Sequence, residues 1–444
     1  MWVNTEVFPS GALVTLIKSD YITFKDITFK NDFSITSAYA FYITLHCIGI
    51  SIINNKIIGP GTNDSYGIYC INASTKNLII QDNYFKAPKA IESSGSLRST
   101  GTQIINNQIG DNKAIVLSNH DSLIIEKNQI TTQEGFSVDR SGRGILLTNC
   151  NYYINISKNK IISNGNPRFT PGSGIFLQYC ICQNSLIVNN FIYYSGGEGL
   201  QVSNSVKINI YFNSIHSLYN GDFSRSPNLN ISNSSDCNVK NNILGGRSTD
   251  FINNFNTSIS SDYNSFYPIY PFPYIFVFYY NNRGIGDLDS FRIASNNDFH
   301  SLVNEVFFVT DTDLHLTGAS IGDIDLRGIP IVGITDDIDG NPRLSSRPYM
   351  GADEADFPLP VELSSFNSAV NEKDVLLNWR TSSELNNSGF GIERCIVNSV
   401  SNDNWLSAGF VNGNGTTNSP KDYLFKNKNL NSGKYKYRLK QIDF

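Results

Sequence analysis

The sequence predicts an all-β chain whose larger part is a parallel β-helix, a solenoid of stacked coils. Three observations predict it. Charged residues fill only 16% of the 444 positions, against roughly 25% in an average globular chain. Asn takes their place, at 56 positions, among β-branched and aromatic residues that suit strands. A short block then recurs along the first 270 residues: apolar, any, apolar, two variable, Asn, any, apolar. Self-similarity with a period of about 20–50 residues is the signature of a repeat architecture.

The block reads ISIINNKI ending at Ile57, LIIQDNYF at Phe85, TQIINNQI at Ile109, LIIEKNQI at Ile130 and INISKNKI at Ile161. It continues as SLIVNNFI at Ile192, INIYFNSI at Ile215 and CNVKNNIL at Leu244. Its asparagines are Asn55, Asn83, Asn107, Asn128, Asn159, Asn190, Asn213 and Asn242, with a degenerate ninth at Asn264. Their spacings of 28, 24, 21, 31, 31, 23, 29 and 22 residues are irregular, while the block hardly changes. A coil of constant cross-section with variable loops on one side meets both facts. A second block precedes each of the first, as GIYCI from Gly67, AIESS from Ala90, AIVLS from Ala114, GILLT from Gly144, GIFLQ from Gly174 and GLQVS from Gly199. These strands are too short to pair as hairpins, so like strand stacks on like strand in parallel, at about 4.8 Å per coil. An isolated buried amide would be costly; a continuous Asn ladder satisfies it.

Composition also bounds function. A net charge of −5 gives no support for bulk nucleic-acid binding. A helical bundle, a coiled coil and a charge-rich disordered tail are excluded. No run of about 18 apolar residues occurs, so no transmembrane segment is expected. The seven Cys include no C-x-x-C pair and do not form a disulfide scaffold. Cys47, Cys150 and Cys180 fall near the ends of equivalent strands and stack inside as small apolar residues; Cys150 and Cys180 form a disulfide only if their side chains face each other. Both termini read as truncations. The start lacks a basic then apolar signal peptide, and the end stops inside a strand.

On the Asn ladder and the Gly-Ile strand, residues 12 to 270 resemble right-handed parallel β-helix proteins of the pectin-lyase-like superfamily. The resemblance implies a right-handed coil over residues 1–270. It does not imply one activity, since that fold hosts lyases, hydrolases, epimerases, adhesins and phage spikes. In residues 271–357 the phrase carrying Asp337, Asp339, Gly340 and Arg343, followed by Gly351, Ala352 and Glu354, resembles the terminal cap of secreted bacterial β-helix proteins. That resemblance implies that the phrase closes the last coil. Asp337 and Asp339 offer a calcium reading; the other reading is a plain Asp-Gly turn. Otherwise no cofactor is expected.

Residues 358–444 hold the alternating strands VELSSF, DVLLNWR, GFGIERC, WLSAGFV, DYLFKN and KYKYRLKQIDF, with Trp379 in the second. They predict a β-sandwich, truncated at its last strand. The wording is similar to the fibronectin-III-like module that precedes the sorting tail of proteins exported by the type IX system of Bacteroidetes-type bacteria. That resemblance implies a secreted or cell-surface protein, and the sorting tail is absent from the chain. A monomer is expected.

Alternation lists the outward columns of the Gly-Ile strand, over which pectin-lyase-like enzymes carry their groove. The middle column reads Tyr69, Glu92, Val116, Leu146, Phe176, Gln201 and Asn230. The column nearer the loops reads Tyr66, Lys89, Lys113, Arg143, Ser173, Glu198 and Pro227. Lys89, Lys113 and Arg143 form a basic stripe on adjacent coils. One reading is a site for an acidic glycan, with cations on successive carboxylates and Phe176 as a stacking surface. Catalysis there would use Arg143 or Lys113 as the base of a β-elimination, with a neighbouring cation stabilising the enolate, and Glu92 is a further catalytic candidate. The other reading is a solvated face that keeps the rod soluble. The long loops carry Glu134, Asp139, Arg140, Arg168, Tyr193, Tyr194, Glu198, Asp222 and Arg225 on the same side, as further ligand-binding candidates or as ordinary turn residues. The hydrolase motifs of the superfamily (Asn-Thr-Asp, Asp-Asp, His-Gly, Arg-Ile-Lys) are absent. The expected function is a carbohydrate-binding or adhesive β-helix protein on a polysaccharide or cell-surface glycan. The alternative is a polysaccharide lyase or glycoside hydrolase on an acidic glycan.

Overall fold

The computed structural model describes residues 11–30, 38–59, 65–110, 113–132, 142–164, 172–195, 197–217, 227–246, 252–255, 257–268, 278–281, 283–355, 361–397, 405–417 and 419–443. The chain divides into two compact units, Met1–Ser320 with Ile324–Glu354, and Ile321–Asp323 with Ala355–Phe444. The first unit is a parallel β-solenoid and the second a small antiparallel sheet. No helix among the described residues is long and apolar enough to cross a membrane.

One coil shows how the repeat folds. Arg143–Thr148 lies on a first face, Asn151–Ser157 on a second and Lys160–Ser163 on a third. The next coil repeats this as Gly172–Gln178, Ile181–Val188 and Phe191–Tyr194, paired in parallel, with a register shift on the second face between Tyr152 and Tyr153. The third faces form an 11-stranded parallel sheet, while the first and second run together as a 23-stranded sheet. Alternation fills the interior: Ile145, Leu147, Ile154, Ile156 and Ile161 are all buried. Two residues past each ladder Asn stands one column of large side chains, from Ile57 and Phe85 to Leu244 and Phe266, all buried. Each contributes about 1.5–3 kcal/mol of apolar burial. The glycine of the Gly-Ile strand has a steric cause at Gly174, where a Cβ would come within 2.3 Å of Ile192 Cγ2.

The Asn block is not one strand but two, with a bend between them. The residue before each ladder Asn takes a left-handed backbone, as at Asn54 (φ 52°), Lys158 (φ 57°), Asn189 (φ 56°), Phe212 (φ 52°) and Asn241 (φ 58°). That conformation costs about 1–2 kcal/mol for a residue with a Cβ. The ladder offsets it. Asn159 Nδ2 donates to Asn190 Oδ1 at 3.0 Å, to Ile125 O at 2.9 Å and to Ser157 O at 3.1 Å, and its backbone N–H donates to Asn190 Oδ1 at 3.0 Å. Side-chain bonds of this kind join the ladder from Asn55 to Asn264. At its downstream end Asn264 Nδ2 donates to the buried Asp298 and its N–H to Ser301 Oγ. The coil closes on the helix Leu288–Ser295, whose Phe291 stacks on Phe278 at 4.5 Å.

The bend between the first and second faces carries its own internal column. His120, Cys150, Cys180, Ser205 and Ser234 are all buried there. Cys180 N–H donates to Ser205 Oγ and Ser205 N–H to Ser234 Oγ. All seven Cys are buried free thiols, Cys150 and Cys180 among them, so the disulfide considered from the sequence is not formed in this structure. His120 meets Thr102 Oγ1 at 3.1 Å and Ser93 Oγ at 2.9 Å. Burial, reinforced by Arg98, pushes its imidazole down to about 4. An unfolded His takes up its proton near pH 6.5, so the unfolded chain gains a proton first as pH falls. The contribution is therefore present above pH 6.5 and is lost between there and about 4, at a cost of about 3 kcal/mol. Denaturation midpoints are expected to drop across that window, and His120→Gln to flatten the drop. An unchanged pH profile in the variant would remove His120 from the account.

The Asp-rich phrase does not close the last coil, as the resemblance implied. Residues 324–354 instead run back along the ladder bend, against the left-handed residues of successive coils. Ile329 exchanges hydrogen bonds with Asn241. Asn189 Nδ2 donates to Asp336 O, and Lys158 pairs with Asp336 at 2.5 Å. Arg343, 8% exposed, donates to Asn189 Oδ1, Gly351 O, Tyr349 O, Asp336 O and Glu354 Oε2, with its guanidinium 4.0 Å from the Phe212 ring centroid.

In the second unit, the segments DVLLNWR and GFGIERC belong to one strand, Asp374–Ile396, rather than two. Its first half lies between Val361–Asn371 and Lys421–Asn427, its second between Leu406–Thr417 and Tyr435–Asp443. Leu377 and Trp379 from one half share a core with Phe390 and Ile392 from the other, and Tyr423 stacks on Trp379 at 5.3 Å. Buried Glu384 sits at the bend and accepts from Thr381, Asn387, Asn414 N–H and Tyr423.

Candidate functional site

The first face presents two outward columns at one residue per coil, about 4.8 Å apart. Nearer the loops, pairing runs Tyr39, Tyr66, Lys89, Lys113, Arg143, Ser173, Glu198. The middle column runs Tyr42, Tyr69, Glu92, Val116, Leu146, Phe176, Gln201, Asn230. Inward neighbours such as Ile91, Ile115 and Ile145 anchor each strand in the core and fix these side chains outward.

Four tyrosines gather where the columns begin. Tyr39 stacks on Tyr66 at 5.2 Å and on Tyr69 at 5.4 Å, Tyr66 meets Tyr69 at 4.5 Å, and Tyr42 packs edge-on to Tyr39 at 5.3 Å. Lys89 joins them to the basic row: its Nζ donates to Tyr66 Oη at 2.7 Å and lies 4.5 Å from that ring centroid. Burial raises the Tyr66 pKa, against the lowering effect of Lys89, so the phenol stays neutral. Tyr39 and Tyr42 were missed in the sequence. The signal was present, because the pattern Tyr-x-x-Tyr at 39–42 repeats at 66–69, one coil on.

Further along, Arg143 is half-buried, its guanidinium 5.9 Å from the Phe176 ring. Its Nε is buried without a hydrogen-bond partner, and burial lowers its pKa. Two coils away in the same column, burial raises the Glu198 pKa, opposed by a 2.8 Å bond from Asn230 Nδ2 to Oε1; its Oε2 has no partner. The middle column between these ends is apolar at Val116, Leu146 and Phe176.

The remaining candidates divide. Tyr194 is fully buried and its hydroxyl donates to Asn228 Oδ1, so it is a core residue and not a ligand contact. Tyr193, on the third face, is half-buried beside His216 and away from the basic row. Glu134, Asp139, Arg140, Arg168, Asp222 and Arg225 lie outside the described residues. Asp337 accepts from the N–H groups of Asp339, Asn341 and Glu354 and from Asn341 Nδ2, which occupies both carboxylate oxygens. These are the hydrogen bonds of an Asp-Gly turn. Asp339 belongs to a different group: His315, Asp339 and Asp353 offer ligand atoms within 4.8 Å of one another. A ring nitrogen among the ligands suits a zinc-type ion better than calcium. In this structure the His315 ring bonds Asp339 and Asp313, and Lys160 pairs with Asp339. Burial works against charge on His315, but those carboxylates outweigh it and raise its pKa. Burial lifts Asp353 to about 6.

Residues 39–215 match the model of the family described as right-handed beta helix region. Among solved structures the chain is similar to the Dettilon tailspike protein, at 10% identity over 95% of this chain and 86% of that one, with a TM-score of 0.35. No curated protein matches the chain.

Proposed function

We propose that this right-handed β-helix repeat protein binds an acidic polysaccharide along its first face without cleaving it. The observation that carries the proposal is the row Tyr39, Tyr66, Lys89, Lys113, Arg143, which advances one coil per residue beside Tyr42, Tyr69 and Phe176. The half-buried rings of Tyr42, Tyr66 and Tyr69 offer apolar faces for sugar rings, and a linear array of cations matches a linear array of carboxylates. Half-burial strengthens each charge contact relative to a fully solvated one. The apolar stretch Val116, Leu146, Phe176 supplies contact surface rather than acid–base groups, which supports binding over chemistry. A secreted or cell-surface setting belongs to the proposal, supported by the likeness of the C-terminal strands to modules of exported proteins.

A second reading rests on Arg143 and Glu198. Burial shifts a potential base down and a potential acid up in one column, a pattern that accompanies acid–base catalysis. This reading is a lyase or hydrolase on the same glycan. The two separate in one experiment. The protein is incubated with pectate, alginate and glycosaminoglycans while the ultraviolet absorbance of the unsaturated uronate product of β-elimination and the release of reducing ends are followed. The proposal expects flat traces together with retention in an affinity gel. A signal that disappears in Arg143→Ala or Glu198→Gln would replace it with the catalytic reading.

A further inference from the structure

The third face carries a second built site, remote in register from the basic row. Tyr193, His216, Gly245 and Tyr267 follow one another outward on adjacent coils. Gly245 makes the arrangement feasible: a Cβ there would come within 2.2 Å of Tyr267 Cδ1. Tyr267 therefore lies across the glycine and brings its hydroxyl to His216 Nδ1 at 2.5 Å, the two rings within 7° of parallel. His216 Nε2 is 3.5 Å from Asp311 Oδ1. Burial lowers the His216 pKa against the pull of Asp311, so the ring is neutral, with Nε2–H toward Asp311 and Nδ1 accepting from Tyr267. Phe308 stands edge-on to both rings, at 5.8 and 5.7 Å. Between these residues and the segment 303–311 runs a groove of about 750 Å³.

We infer that this groove binds an uncharged saccharide residue. Its polar groups are mixed in the way hydroxyls require. Glu305 and Asp311 accept at the rim, and Asn304 supplies a donor. Asn304 Oδ1 is taken by Ser265 Oγ at 2.6 Å, while its Nδ2 is buried with no partner. A sugar hydroxyl satisfies both kinds of group, and the C–H face of the ring has Phe308 to lie against. Among the described residues no Lys or Arg lines the groove, and two carboxylates repel uronates and sulfates. A cationic ligand would meet the carboxylates but leave the Asn304 donor unmatched. A purely apolar ligand would leave it unmatched as well.

The site stands independently of the acidic-glycan reading, and the test keeps the two apart. The full chain is titrated calorimetrically with neutral gluco-oligosaccharides, chitosan oligomers and uronate oligomers. The neutral oligomers are expected to bind, with affinity reduced about tenfold or more by Phe308→Ala and by Asn304→Asp, and unchanged by Lys113→Ala. Asn304→Asp preserves shape and keeps the test valid should Phe308→Ala loosen the segment. Lack of binding by the neutral oligomers would overturn the inference. So would tighter binding of chitosan oligomers, or wild-type affinity in both variants.

Discussion

Asn159→Leu is expected to destabilise the solenoid by about 4 kcal/mol or more, because several buried groups lose their partners together. Asn128 N–H and Nδ2 lose the Asn159 Oδ1 acceptor, and Ile125 O and Ser157 O lose the Nδ2 donor. Leucine has similar bulk, so the cost is polar rather than a cavity. Urea denaturation checks this against Asn106→Gly, one residue ahead of ladder Asn107. Asn106 is exposed and left-handed at φ 52°, a conformation glycine adopts freely, so that change should stay under about 1 kcal/mol. Asn159→Asp should be worse than Leu at neutral pH, since its carboxylate would face carbonyl oxygens. It should partly recover as pH falls and the buried acid is protonated. Equal midpoints for the ladder and neighbour variants would mean that the ladder is decoration on an apolar core.

Arg343→Leu is expected to cost about 3–5 kcal/mol, the penalty for removing one partner of a buried, hydrogen-bonded ion pair. It strips Glu354 of its 3.2 Å partner and orphans Asn189 Oδ1 and several carbonyls. The loss is local. Hydrogen exchange should accelerate across residues 324–354 while amides of the ladder coils keep their protection. Uniform acceleration through the whole solenoid would instead make this segment a structural part of the coil.

The coil was legible because its rules are local. Two-residue alternation fixes which side chains point outward, and the recurrence of one Asn per coil fixes the register. Tyr69, Glu92, Val116, Leu146 and Phe176 align from that alone. Where the alternation was cut short, reading failed. Tyr194 was assigned to a loop, but the strand extends through it, and two steps after the inward Ile192 it points inward as well. The bends inside the Asn block were hidden because Lys158 and Phe212 carry no turn signature, and their left-handed backbone is imposed by the ladder. The path of residues 324–354 was out of reach for a different reason. Its anchor Lys158–Asp336 joins residues 178 positions apart, with no periodicity to connect them. The pairing of His216 with Tyr267 likewise depends on the space left by Gly245, a third residue on an intervening coil.

The central claim is that the first face holds an acidic glycan through its row of cations. Isothermal titration of defined uronate oligomers into the wild-type chain and into Lys113→Ala and Lys113→Arg tests it most directly. The account predicts saturable binding that weakens with added salt, a loss of about tenfold in affinity for Lys113→Ala, and near wild-type affinity for Lys113→Arg. Absence of uronate binding, or binding that neither salt nor Lys113→Ala alters, would contradict it.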